Sequence, residues 1–389
     1  MKDKYFSISI VVEIILVAFI YLSTTMGWYS AASIAFAVTF LVLLGYIFLT
    51  KNFKDLKTWI LITICVFNVI IDFLIHTTGK ISFDYYKKVI MFSTFVLLIS
   101  YCSTIKVNAK TLRFVQYVPI VLSVYTFFSY YYFGNNNMIA QGITLGFSNP
   151  NFTGMWLLHL FVFDVINVFD SKNKKIIRIL SLILAIVMLQ LINLTKARSS
   201  MIGAFVFGML LFVGYIKKMQ LSKFTTILCI IFPIIFIFIY FSLVNQDWFT
   251  EFFSFMISEG KTLTSRNKIW KNALEVYSQS PIIGVYYLIS EGTGQSQLHN
   301  AHLDVLVSYG PIVFLLFLYI LFKASKVCYQ KNNTALSFIS VAGFLAIMIS
   351  GTFEAALVAG AMGLNIFTAS LLLLANSKEE NSLIGIKEK

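Results

Sequence analysis

Apolar runs of roughly 17 to 22 residues follow one another along this chain, broken by short polar turns, and runs of that length make lipid its solvent. Backbone N–H and C=O groups in lipid must be satisfied within one segment or in a closed barrel. The runs are continuous and do not alternate every second residue, so they are helices and not barrel strands. Composition agrees: 58% of residues are hydrophobic, 12% are charged and the mean hydropathy is +0.82, which excludes a soluble globular domain.

Spans are expected near residues 6–23, 31–50, 58–76, 88–105, 112–133, 152–169, 176–194, 200–216, 224–244, 302–322, 335–352 and 357–376. The expected fold class is all-α, a polytopic helical membrane protein of about 12 transmembrane helices, with residues 1–389 as a single integral membrane domain. The first run carries Glu13 and no A-x-A cleavage site follows it, so it reads as a retained span. The tail from Ser377 is short and polar, the kind of end that stays disordered.

The net charge of +13 suggests nucleic acid only until its placement is read. The N-terminus, the loops 51–57, 106–113, 171–178, 217–223 and 323–331, and the tail hold 21 of the 30 Lys and Arg. Those loops alternate with poorly charged ones, so the positive-inside rule makes them, and both termini, cytoplasmic. Lys80, Lys87, Lys88, Lys196, Arg198, Lys261, Arg266, Lys268 and Lys271 then face outward. Cys65, Cys102 and Cys229 lie in spans and Cys328 in a cytoplasmic loop, so no disulfide is expected.

Two outward loops are long. Residues 134–151 are rich in Asn and Gly and carry no charge, whereas residues 245–301, between the ninth and tenth spans, mix acids, bases and aromatics. In the second, Trp248, Phe249, Phe252, Phe253 and Phe255 suit a membrane interface. From Thr264 the apolar spacing turns helical through Ile269, Trp270, Ala273, Leu274, Val276 and Tyr277, with Thr264 or Ser265 as N-cap and Pro281 beyond the end. This predicts a short amphipathic helix over the spans.

Arginine is scarce, and Arg198 and Arg266 are the two that face outward. Arg266 falls in the first turn of the predicted loop helix, where the helix dipole disfavours a cation unless an anion is bound beside it. A phosphate fits such a place, because free N–H groups and a forked guanidinium both bind it. The competing reading is an interface arginine pairing with lipid head groups or Glu259. Arg198 sits in the short turn Thr195 to Ser200 after Lys196, either as a second phosphate ligand or as a snorkelling boundary cation.

His299 and His302 close the long loop in the run Leu298-His299-Asn300-Ala301-His302. An imidazole there can take a proton from an attacking hydroxyl. A solvated loop histidine is the plainer alternative, and zinc is disfavoured by the lack of nearby Cys and carboxylates. Asp304, among the intramembrane carboxylates Glu13, Asp72, Asp164 and Glu354, is placed to orient a loop histidine or an acceptor sugar. Gly260-Lys261-Thr262 resembles the end of a P-loop, but Phe255 stands where the first glycine belongs.

Together these segments resemble the O-antigen ligase and polymerase superfamily, integral membrane glycosyltransferases of the type C class. Phe147-Ser148-Asn149-Pro150-Asn151 is similar to that family's Pro-Asn element, and Thr195 to Ser200 to its Thr-x-Ser-Arg turn. Ser265-Arg266-Asn267-Lys268-Ile269-Trp270 resembles the start of its loop helix. Pro281-Ile282-Ile283-Gly284, then His299 to Leu303 and Gly310, resemble the rest of its outer loop and the next span. Ala197 in place of a serine, and Val285 in place of a second glycine, depart from the pattern.

The resemblance implies a multi-pass protein of a bacterial cytoplasmic membrane. It implies a donor glycan on undecaprenyl pyrophosphate, a glycan acceptor, no cofactor and no metal, with flippase and chain-length regulator proteins as possible partners. By resemblance Arg198 and Arg266 stabilise the departing pyrophosphate and His299 is the general base. Asn300, His302, Asp304, Asn151, Ser265 and Lys196 are the expected substrate-binding residues. Polymerase and ligase chemistry both remain open, as does a transporter or flippase of lipid-linked oligosaccharide. Against the transporter, its usual long central loop lies inside after the sixth span, whereas here the long loop is outside after the ninth.

Overall fold

The computed structural model describes residues 2–26, 34, 38, 41–42, 45, 56–76, 83–132, 138–139, 142–147, 149–243, 246, 248, 251, 264–285, 298–330, 334–355 and 364–376. It is a helical bundle. In chain order the helices are α1 (Lys2–Thr25), α2 (Leu56–His76), α3 (Phe83–Cys102) and α4 (Ala109–Tyr131), then α5 (Pro150–Phe169), α6 (Lys175–Leu194), α7 (Arg198–Ile216) and α8 (Lys223–Leu243). The short loop helix α9 (Thr264–Tyr277) precedes α10 (Ala301–Ala324), α11 (Ala335–Ser350) and α12 (Leu364–Ala375). A two-stranded antiparallel hairpin, β1 (Met138–Ile139) with β2 (Gly142–Ile143), lies between α4 and α5, in the uncharged stretch rich in Asn and Gly.

Seven helices among the described residues are long and apolar enough to cross a membrane: α1, α4, α5, α6, α7, α8 and α10. Shorter apolar helices stand at four of the other expected spans, over Leu56–Ile71, Lys88–Cys102, Ala335–Ser350 and Leu364–Ala375. The expected span 31–50 lies almost wholly outside the described residues. Lipid as solvent explains what the outer helices expose. Ile176, Ile179, Leu182, Ile183, Ile186 and Leu189 of α6 are all exposed, a continuous apolar face that water would not tolerate.

The two short helices α11 and α12 owe their apolarity to the protein interior. Every residue of α11 from Ser337 to Ser350 is buried, as is every residue of α12. α11 packs against α5, α7, α8 and α12, and small residues let these backbones approach. A Cβ added at Gly154 of α5 would lie 2.5 Å from the Ala197 Cβ, and one at Gly203 of α7 would lie 3.1 Å from the Ser350 Cβ. At the opposite end of the bundle Arg113, Gln116 and Asp170 form a tight network, with Arg113 Nη1 2.7 Å and Gln116 Nε2 2.9 Å from Asp170 Oδ2.

α10 is kinked, and the kink receives the end of the long loop between α8 and α10. Pro311 has no N–H, so the Val307 carbonyl loses its intrahelical donor. The Val285 N–H takes that place, donating to Val307 O at 2.8 Å, and Asn68 Nδ2 donates to Tyr309 O at 2.8 Å. Gly310 adopts φ +81°, and a Cβ there would lie 2.2 Å from the Ile282 carbonyl oxygen. Gly310→Ala is therefore expected to destabilise the protein by about 2 kcal/mol and to loosen residues 282–285. Thermal unfolding in detergent, with limited proteolysis of the loop, measures both effects.

Candidate active site at the loop end of the bundle

Three separate stretches, joined by the turn after α11, converge at the end of the bundle from which α7 and α10 begin. The first is the turn between α6 and α7. Lys196 is held at φ +54°, a left-handed conformation uncommon for a residue with a side chain, and Ala197 precedes Arg198 at the start of α7. The turn is braced by Thr195 Oγ1, which accepts from the Ala197 N–H at 3.1 Å, and no side chain caps the helix. Ser199 and Ser200 in its first turn are buried, and their hydroxyls have no hydrogen-bond partner. An uncapped N-terminus with buried hydroxyls and a guanidinium suits an anion.

The β1–β2 hairpin supports this turn. Gly142 in β2 has φ +125°, and a Cβ there would lie 2.2 Å from the Thr195 carbonyl oxygen, so only glycine allows the hairpin this close. Thr153 Oγ1 of α5 donates to Thr144 O at 2.6 Å and ties the same segment to α5. Asn151, in the first turn of α5, is half-buried, and its N–H donates to the Asn149 cap at 2.8 Å.

The second stretch is α9, which starts at Thr264. The side chains of Thr264 and Ser265, the expected N-caps, and the residues just before them lie outside the described residues. Arg266 is in the first turn and Trp270 one turn later, on the same face. The Trp270 ring is fully buried, edge-on to Phe236 and Tyr240 of α8. Its Nε1–H donates to the Leu298 carbonyl at 2.8 Å, which ties the loop helix to the turn that carries His299. The Arg266 guanidinium stands 5.8 Å from the centre of the Phe353 ring. Burial draws its pKa below the usual arginine value, Glu354 opposes that shift and Arg198 adds to it, so the three side chains lie within electrostatic reach.

The third stretch is the turn into α10. His299 has φ +51° and its ring is partly exposed, with Nδ1 3.5 Å from Glu354 Oε1. Glu354 lies in the buried turn after α11, and its other oxygen has no hydrogen-bond partner. Glu354 thus lies beside the imidazole and within electrostatic reach of Arg266. Such a group can orient a histidine ring.

Several expected site residues are positioned differently. Asn300 is buried and engaged with the fold: Oδ1 accepts from the Leu303 N–H at 2.8 Å, while Nδ2 donates to Pro233 O at 2.8 Å and Thr352 O at 3.1 Å. His302 is buried edge-on to Phe314 and Phe317, inside the bundle and away from the opening. Asp304 does not pair with a histidine; it forms an ion pair with Lys88 and accepts from Ser308 Oγ at 3.1 Å. The physical reason is helix geometry. Residues 302 and 304 belong to the first turn of α10, whose sides face α3 and α8, whereas His299 precedes the helix and stays at the opening. Lys196 is exposed beside Arg198.

Glu354 is the residue that sequence reading left outside the site. Gly351 closing α11, followed three residues on by a carboxylate at the end of the bundle that holds the long loop, was the available signal. Among the described residues no group of three or more His, Cys, Asp or Glu could hold a metal ion.

Fold and site together define a class: an α-helical multi-pass membrane protein whose loop end gathers two arginines, an imidazole and a buried carboxylate. A family model described as O-antigen ligase matches residues 183–318, from within α6 to within α10, and so includes Arg198, Arg266 and His299. That match supports membership of the O-antigen ligase and polymerase superfamily and, with it, a role in glycan transfer. No curated protein matches the chain.

Proposed function

We propose that this protein is a polysaccharide polymerase that transfers undecaprenyl-pyrophosphate-linked repeat units to a growing glycan at the outer face of the cytoplasmic membrane. The observation that carries the reading is the meeting of Arg198, Arg266, Glu354 and His299, from four separate parts of the chain, at one end of a membrane bundle. The donor already carries its driving force in the phosphoanhydride-linked leaving group, so no nucleotide is required on a face without ATP. His299 takes the proton from the acceptor hydroxyl as the new glycosidic bond forms, and Glu354 steadies the resulting imidazolium. The bond from the anomeric carbon to the pyrophosphate oxygen breaks, and Arg198 and Arg266 neutralise the charge that gathers on the leaving group. Charge stabilisation of this kind, in a site sheltered from water, is the larger contribution to rate.

Cells that lack the gene are expected to accumulate single repeat units on the lipid carrier. Extracted and supplied to the purified protein in phospholipid vesicles, these units should give a ladder of lengths. A single transfer to a different acceptor, without a ladder, would make the protein a ligase; no consumption of the units at all would refute glycan transfer.

A further inference from the structure

His299 is held in a strained backbone conformation by a clamp on the residues either side of it, and the clamp extends to a helix that the family match does not cover. A left-handed φ of +51° costs free energy in a residue with a Cβ, so the surrounding structure must impose it. The Leu298 peptide is held at both ends: Trp270 Nε1 donates to its carbonyl at 2.8 Å, and its N–H donates to Asp304 Oδ2 at 3.4 Å. Asn300 on the other side is fixed by its bonds to Leu303, Pro233 and Thr352. Ala301 N donates to Gly351 O at 2.8 Å, which ties the turn to the segment bearing Glu354.

Asp304 is itself held from α3. Its Oδ1 faces the Lys88 ammonium, Ser308 Oγ donates to the same oxygen at 3.1 Å, and Lys88 Nζ donates to Ser308 Oγ at 3.2 Å. The pair is sheltered, with side-chain exposures of 11% for Lys88 and 1% for Asp304. Desolvating two charges cancels most of what their attraction returns, so net stability is a poor reason for such a pair, and fixing one geometry is a better one. Phe92, one turn beyond Lys88 on α3, stacks on Tyr309 at 4.9 Å and keeps the two helices in register.

We propose that Lys88 is a positioning residue for His299: through Asp304 and the Leu298 N–H it fixes the turn that presents the imidazole to Glu354. This rests on the reading of His299 as the general base. Lys88 is sheltered against Asp304 and Ser308, and its effect is on the placement of His299. Misplacing a reacting group by about 1 Å can cost about 100-fold in rate.

The test is a double-mutant cycle on the full-length protein in phospholipid vesicles, with lipid-linked repeat units extracted from gene-deleted cells as the probe. Lys88→Met is expected to lower kcat about 10- to 100-fold with KM for the donor unchanged, and Lys88→Arg to restore most of the loss. In a His299→Ala background, Lys88→Met should cost nothing further, because the group it positions is gone. Losses that multiply in the double variant, or a loss confined to KM, overturn the proposal and leave the role of His299 standing. Wild-type turnover in His299→Ala overturns the reading of His299 and the proposal with it. Where Lys88→Met does not accumulate, Asp304→Asn, of the same shape but uncharged, replaces it in the cycle with the same expected outcomes.

Discussion

Arg266→Ala is expected to lower glycan transfer by about 100- to 1,000-fold while the protein still inserts and accumulates at its normal level. The side chain sits in the first turn of α9, where the helix dipole opposes a cation, and burial opposes it further. What favours its charge in the free protein is Glu354. In the proposed reaction a second anion arrives, and charge growing on the departing pyrophosphate rewards Arg266 more in the transition state than in the ground state. That difference is the part of binding that accelerates chemistry. Arg266→Lys keeps the charge and loses the planar fork, so an intermediate loss of about tenfold is expected. Turnover in vesicles, normalised to protein measured by immunoblot, separates rate from abundance. Unchanged polymer yield and length in Arg266→Ala would remove it from the site.

His299→Ala is expected to lower turnover by about 100- to 10,000-fold, again at normal abundance. The ring is only partly buried, so its removal leaves no deep cavity in the bundle. It leaves the left-handed backbone strain in place, because alanine keeps the Cβ. A change in thermal midpoint of no more than a few degrees should therefore accompany a large kinetic loss. Glu354→Gln should reproduce part of that loss, since the amide fills the same space but cannot stabilise an imidazolium. Retained polymer synthesis in His299→Ala would mean that the acceptor proton leaves by another route.

Most of the helices were legible because the signal is coarse. A continuous apolar run needs no register, and 150–169 or 301–324 differ from the expected spans 152–169 and 302–322 by a residue or two. The loop helix was legible for a different reason: its apolar residues recur at spacings of three and four, and α9 runs from Thr264 to Tyr277 as that pattern requires. Arg198, Arg266 and His299 stood out because arginine and histidine are rare on the outward side, and the fold brings them to one end of the bundle.

Pairings between distant segments were not legible. Asp304 lies near His299 in sequence, and that proximity suggested a partnership, but the helix that begins at Ala301 turns Asp304 toward α3 and Lys88. Glu354 meets His299 only because α11 returns the chain to the loop end, and no local spacing encodes that. Lys88 counted in the sequence only as one outward cation among nine. The kink in α10 was half legible: Gly310-Pro311 announces a break, but the N–H that fills the vacated carbonyl comes from Val285, in another segment.

In the proposed reaction Arg198, Arg266 and His299 act together on a lipid-pyrophosphate donor. The most direct measurement is the lipid product of a single turnover in vesicles, identified by mass spectrometry, for the wild type and for Arg266→Ala. The wild type is expected to release one undecaprenyl pyrophosphate, with both phosphates retained, for each glycosidic bond formed, and Arg266→Ala to release it at a rate reduced in step with bond formation. Release of the monophosphate, or glycosidic bonds formed at the wild-type rate by Arg266→Ala, would contradict the proposed reaction.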